Sequence, residues 1–206
     1  GVVAVDIGGM KFDEADRSQS QFNPLLAKAG QGSPSNPIKL AEMGDPTGRN
    51  HAAFPFLSKS TGNFYIISGD ENFPWGVMAT QGKPSNPRGG FHFLNFTDPD
   101  NPKEDAIYEV PEAGSHNLWV YGDILIAGNY QAGLRVVDIS GELLGDIYKQ
   151  GREIGYYVPY HKDGKIPNAP MVWGAQPYKD YIFFVDMNSG LYCIQLEDLE
   201  KGSGAP

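Results

Sequence analysis

A single cysteine, Cys193, stands among 206 residues, which excludes an intrachain disulfide and a cysteine-based metal cluster. Its apolar setting, "LYCIQL", predicts a small buried hydrophobe. Positive charge is also scarce: 16 Lys and Arg against 25 Asp and Glu leave a net charge of -9. That balance repels phosphate backbones and anionic headgroups, so nucleic acid is not an expected partner. No run approaches the roughly 18 consecutive apolar residues of a membrane-crossing helix, and no membrane insertion is expected. Helical periodicity is nearly missing; "FNPLLAKAG" (Phe22 to Gly30) offers a turn or two. Missing too are GxSxG, HExxH, a phosphate-binding glycine loop and a dinucleotide fingerprint. "DPDNPKEDAIYE" (Asp98 to Glu109) has the acids of a calcium loop, but Pro102 and Lys103 occupy positions that need a ligand and a glycine, so an inter-strand turn is the better reading.

What is there is a repeat. "GLRVVDIS" (Gly133 to Ser140) and "GLYCIQLE" (Gly190 to Glu197) both begin ten residues after an aspartate, Asp123 or Asp180. Seven residues before those aspartates stand His116 and Trp173, so three landmarks recur at one shift of 57. Each unit reads as a β-rich run, a short turn ending in glycine and a second β-rich run, which is a hairpin signature. Gly133 and Gly190 are expected to supply the positive φ that other residues resist. "YIFFV" (Tyr181 to Val185) does not alternate, which predicts a strand covered on both faces.

A stretched copy starts at His51, with "NFYIISGDE" (Asn63 to Glu71) and "GFHFLNFTD" (Gly90 to Asp98) separated by an insertion. An incomplete copy, "GVVAVDIG", opens the chain. After each second run comes another β-like segment: "PIKLAEMG", "DAIYEVP" and "REIGYYVP". Four short antiparallel strands per unit fit β-propeller blades around an axis. The expected fold is all-β: four-stranded antiparallel blades in a partial propeller of about three to four, against roughly 4 to 8 in closed rings. The divisions are a partial blade at 1–50, blades at 51–115 and 116–172, a terminal blade at 173–197 and a flexible tail at 198–206.

The run of His116, "GDILIAGNYQAGLRVVDIS", "EIGYY" and "DMNSGLYCIQL" resembles the LVIVD-repeat β-propeller family of bacteria and archaea, over roughly residues 37 to 197. "RVVDIS" and "VAVDIG" carry the resemblance best; "YCIQLE" lacks the aspartate. What it implies is architecture and a place outside the cytoplasm: extracellular, cell-surface or periplasmic. It transfers no catalytic residue.

Strand reversal assigns candidate residues to one end. The starts of the innermost strands, His51, His116 and Trp173, are expected to share a face with the loops between second and third strands and between blades. Both long insertions, Asn72 to Gly89 and Tyr160 to Met171, fall there, bringing Phe73, Trp75 and His161. Asp70, Glu71, Asn129 and Asp186 close the second strands at that end, and His92, Arg135 and Tyr192 follow the turn glycines. Loops and concave mouths with a few polar groups are default ligand sites. The competing reading gives His51 and His116 a packing role between blades; Trp119, inside an inner strand, is assigned to the core.

Three functions follow. The first is a non-enzymatic exported module that binds a protein, a glycan or a small ligand through the inserted-loop face, with no cofactor and no metal. The second is a metal-assisted hydrolase or oxidoreductase at the channel mouth, using His51, His116 and an acid. The third is a structural subunit whose partners supply the remaining blades.

Overall fold

The computed structural model describes residues 1–8, 24–25, 28–44, 46–47, 49–71, 89–111 and 113–195, with the backbone of 200–201. Phe73, Trp75 and, from "FNPLLAKAG", Phe22, Asn23, Leu26 and Ala27 lie outside the described residues. Fifteen strands, and no α-helix among the described residues, make the chain all-β. They are β1 (Val2–Asp6), β2 (Ile38–Met43), β3 (Asn50–Leu57), β4 (Phe64–Asp70), β5 (Gly90–Asn95), β6 (Lys103–Glu109), β7 (Leu118–Tyr121), β8 (Ile124–Gly128), β9 (Leu134–Asp138), β10 (Gly145–Asp146), β11 (Glu153–Tyr157), β12 (Val172–Tyr178), β13 (Tyr181–Asp186), β14 (Gly190–Ile194) and β15 (Glu200–Lys201).

Four small sheets result. β1 and β2 pair alone; β3, β4, β5 and β6 run in sequence order as an antiparallel blade; β7, β8, β9 and β11 form the next; β12, β13 and β14 form the last. Two very short strands widen the middle blades to five. β10 adds in parallel outside β6, and β15 adds antiparallel outside β11. Glu200 and Lys201 therefore lie in a strand, where a tail was expected.

The repeat is reproduced residue for residue in pairing. Leu118 faces Ala127 and Ala175 faces Phe184; Ile126 faces Val136 and Phe183 faces Cys193. Equal spacing imposes equal register because a one-residue slip would turn every side chain to the other face. The turn glycines behave as their position demands, with φ of 82° at Gly133 and 106° at Gly190. At the third-strand ends, Asp6, Asn95 and Asp138 each accept the backbone N–H two residues on, from Gly8, Thr97 and Ser140 at 2.8, 2.9 and 2.8 Å. This side-chain turn ends the strand and explains why the repeat carries Asp or Asn there. Asp6 also accepts Gly30, Gln31 and Gly32 N–H groups; hydrogen bonds from Gly8, Gly32 and Gly30 chiefly lower its pKa to about 2.

Successive sheets are held face to face by apolar side chains. Tyr65, Ile67, Phe91, Phe93 and Tyr108 of the first complete blade pack with Leu125, Ala127 and Val137 of the second. Ile126, Leu134 and Val136 on the other face of that second blade pack with Val172, Ile182 and Phe184. Phe64, Ile66 and Leu94 pack with Val2 and Ala41 of the short N-terminal sheet. Each fully buried side chain of this size contributes about 1.5–3 kcal/mol. Asp123 pins the two blades at their far end, accepting Lys59 and Ser60 N–H at 2.8 and 2.9 Å.

Three expectations are corrected. β13 is not covered on both faces: Ile182, Phe184 and Asp186 are buried while Tyr181 and Val185 are exposed. Among the described residues, nothing packs on its second face. For the same reason Cys193, one strand away, is exposed rather than buried. Trp119 is not core; it is 37% exposed, with its ring 5.5 Å from Phe54. The innermost strand turns alternate residues outward, and Trp119 lines a cleft with Phe54 and Trp173.

Candidate functional site

The antiparallel reversals bring the starts of β3, β7 and β12 to one end, together with the ends of β4, β8 and β13. Asn50 pairs with Asp70 and Val172 with Asp186, while Leu57 pairs with Phe64 at the opposite end beside the Lys59 to Gly62 turn. Glu71 and Gly89, the described flanks of the first insertion, and Met171, the end of the second, therefore belong to the strand-start end. Gly30 to Gly32, from the N-terminal insertion, cap Asp6 at the other end.

At the strand-start end three successive blades converge on one cluster. The His51 and His116 ring centroids are 4.1 Å apart, and His116 stacks on Trp173 at 5.1 Å with planes 7° apart. Glu71 lies between the histidines: one carboxylate oxygen is 3.2 Å from His51 Nδ1, the other 3.8 Å from His116 Nε2. His116 Nδ1 is 2.9 Å from the Trp173 carbonyl, to which it donates. That bond leaves Nε2 as the lone-pair nitrogen.

Tyr130 completes the ring of contacts. Its hydroxyl donates to Glu71 Oε1 at 2.8 Å and accepts from the Trp173 side chain. It is the residue that reading for His and acids overlooks. The signal was present in the spacing, since Tyr130 follows Asn129 as Glu71 follows Asp70. Tyr130 is also strained, with φ of 43°, and its backbone exchanges two hydrogen bonds with Val172 of the next blade. The strain is held by an over-determined setting.

The electrostatics follow from burial. Burial and the neighbouring His51 lower the His116 pKa against the opposing pull of the Trp173 carbonyl and Glu71. Burial and the Glu71 hydrogen bond raise that of Tyr130. These shifts favour the neutral form of the His116 imidazole and the protonated form of the Tyr130 phenol.

The other candidates serve their own blades. His92 sits between Asp70 at 3.0 Å and Glu104 at 2.6 Å. Burial alone would lower its pKa, but hydrogen bonds to these carboxylates outweigh it and push His92 up to about 9. Arg135 donates to Glu153 at 3.0 and 3.2 Å, and Tyr108 of the preceding blade donates to the same carboxylate at 2.6 Å. Asp186 closes the second insertion, accepting N–H groups from Met171, Asn188 and Ser189. Its counterparts Asp70 and Asn129 each keep one buried side-chain oxygen, Oδ1, without a hydrogen bond. His161 is exposed on its loop and accepts the Asp163 N–H at 3.2 Å.

Trp173 also borders a cleft of about 670 Å³ along the inner strands, lined by Phe54, Trp119, Gln176, Phe183 and Leu191 among others. Its apolar walls meet the polar cluster at Trp173, which is the composition of a ligand site: a hydrophobic body with a few fixed polar groups.

No family model matches the chain, and no curated protein matches it. Among solved structures, the crystal structure of the computationally designed Ika4 protein is similar over 74% of this chain and 99% of that one, at 12% identity and a TM-score of 0.35.

Proposed function

We propose that the chain is an exported β-propeller module of the LVIVD-repeat kind that binds a protein, a glycan or a small ligand through its strand-start face. The observation that carries the reading is the convergence of His51, His116 and Trp173, one from each successive blade, around Glu71. Packing alone asks for apolar side chains between blades, as the buried clusters supply elsewhere. Here the repeat places aromatic and titratable groups at a solvent-facing rim, with an apolar cleft adjoining. A ligand would rest its apolar surface on Trp173 and its polar groups on the cluster. Proteins or further blades covering the open sheet faces are the expected macromolecular partners.

A saturation-transfer NMR screen of monosaccharides and small polar fragments tests this reading. The expected result is a set of hits on the wild type that weaken with Trp173→Ala, a substitution at a side chain that is 39% exposed and can be lost without unfolding. Hits that persist unchanged in that variant, or no hits at all, would remove the site.

A further inference from the structure

We infer that His51, Glu71 and His116 form a binding site for one divalent transition-metal ion of the zinc or copper class. The inference rests on the reading of the strand-start rim as a ligand site and names an ion it takes. The three ligand atoms, one per side chain, lie within 4.8 Å of one another. Atoms bound to one tetrahedral zinc at about 2.0 Å are roughly 3.3 Å apart, so closure by at most about 1.5 Å suffices. His51 and Glu71, 33% and 39% exposed on their side chains, have the freedom to make that movement.

Two imidazoles and one carboxylate are a donor set suited to zinc, copper or nickel, and poor for calcium or magnesium, which take oxygen. Surrounding contacts fix this set as ligands require. A metal-binding histidine donates its other ring N–H to a carbonyl or carboxylate, which sets the tautomer and orients the lone pair. His116 does so through Nδ1 to the Trp173 carbonyl at 2.9 Å. Ligating carboxylates are in turn hydrogen-bonded, and Tyr130 holds Glu71 at 2.8 Å. The plainer account is a His51–Glu71 side-chain contact at 3.2 Å. It explains neither why His116 presents Nε2 to the same carboxylate nor why its other nitrogen is committed to a neighbouring blade. Three protein donors leave a coordination position open at the exposed rim, available to water or to a ligand's own donor atom.

The test uses the whole chain stripped by a chelator and titrated with zinc chloride alone, followed by calorimetry and by thermal unfolding. One equivalent of zinc should bind and raise the midpoint by mass action. His51→Ala and Glu71→Gln, both at exposed side chains, should keep the metal-free midpoint and lose at least about tenfold in zinc affinity, with Tyr130→Phe falling less as an orienting contact. His161→Ala should bind as the wild type does. With copper(II), electron paramagnetic resonance should show two imidazole nitrogens in the wild type and one in His51→Ala. Absence of stoichiometric zinc, or binding untouched by His51→Ala and Glu71→Gln, overturns the inference. If zinc fails while Trp173-dependent fragment hits remain, the metal falls and the ligand site stands. If zinc binds and no fragment does, the reverse holds.

Discussion

The second and third hairpins of this chain share a register to the residue and differ in burial. Leu134 and Leu191 occupy the same repeat position after the turn glycine; the first is 0% exposed and the second 71%. Val136 is buried where its counterpart Cys193 is exposed. β8 and β9 have a blade on each face, the first complete blade on one and β12 to β14 on the other. The third hairpin has a neighbour on one face only among the described residues. Pairing is thus a property of the repeat, while burial is a property of its neighbours.

The position two residues after the turn glycine extends the comparison to three blades and gives the largest expected effect. It is His92 in the first complete blade, Arg135 in the second and Tyr192 in the third. Where a fourth strand supplies an acid, Glu104 or Glu153, the position holds a cation; the third sheet has no fourth strand among the described residues, and Tyr192 stacks on Phe184 at 4.9 Å. Truncating Arg135 leaves Glu153 buried without its cation, so Arg135→Ala should cost about 3–5 kcal/mol. Tyr192→Ala strands no charge and should cost less. Urea unfolding of both variants checks this; equal losses would mean that the Arg135–Glu153 pair adds nothing beyond packing.

The two leucines give the next effect. Leu134→Ala opens a cavity in a core closed on both sides and should cost about 2–5 kcal/mol. Leu191→Ala removes a side chain from water and should fall within about 0.5 kcal/mol of the wild type. A large loss at Leu191 would show that its face is covered in solution, by a second copy or by another protein.

Much of this architecture is legible in the sequence because it depends on spacing. The shift of 57 carries the register, the positive φ of Gly133 and Gly190, and the meeting of His116 and Trp173 at one end, and the stretched copy adds His51 there. The fates of Cys193, Trp119 and "YIFFV" are not legible, since an apolar strand reads alike whether or not a blade lies beyond it. β10 and β15 escape for another reason: two-residue edge strands are made by backbone pairing and leave no side-chain pattern. The cluster was half visible. Histidines and acids draw the eye by chemistry, whereas Tyr130 enters through a hydroxyl that only its neighbours make significant.

A pH series separates the first complete blade from the second. The His92 pKa of about 9 lies above the 6.5 of an unperturbed histidine. A raised value means that the folded state holds the proton more tightly than the unfolded chain does. The stabilisation is complete below pH 6.5 and is lost as pH rises through about 9, amounting to about 3 kcal/mol at most. In the second blade the counterpart is an arginine, Arg135, paired with Glu153 at 3.0 Å. Backbone amides of β4 and β5 should therefore exchange progressively faster, relative to those of β8 and β9, between pH 6.5 and 9, after correction for intrinsic rates. His92→Gln should remove the difference. Equal pH response in both blades would show that the paired carboxylates do not set the charge of His92.

The smallest effect on stability is the sharpest probe of the open face. Cys193 lies on β14 opposite Phe183, at the position where the second blade buries Val136 under its neighbour. Its thiol is exposed, so access should govern its reaction. An aromatic disulfide reagent should titrate one thiol per native chain without denaturant, at a rate close to that of the unfolded protein. Cys193→Ser should leave the unfolding free energy within about 0.5 kcal/mol, because the side chain trades one solvated environment for another. Concentration is the variable that makes the experiment decisive. If protection appears as the protein is concentrated, a second copy covers the sheet; if the thiol is protected at every concentration, the third hairpin is as enclosed as the second and the contrast between Leu134 and Leu191 disappears with it.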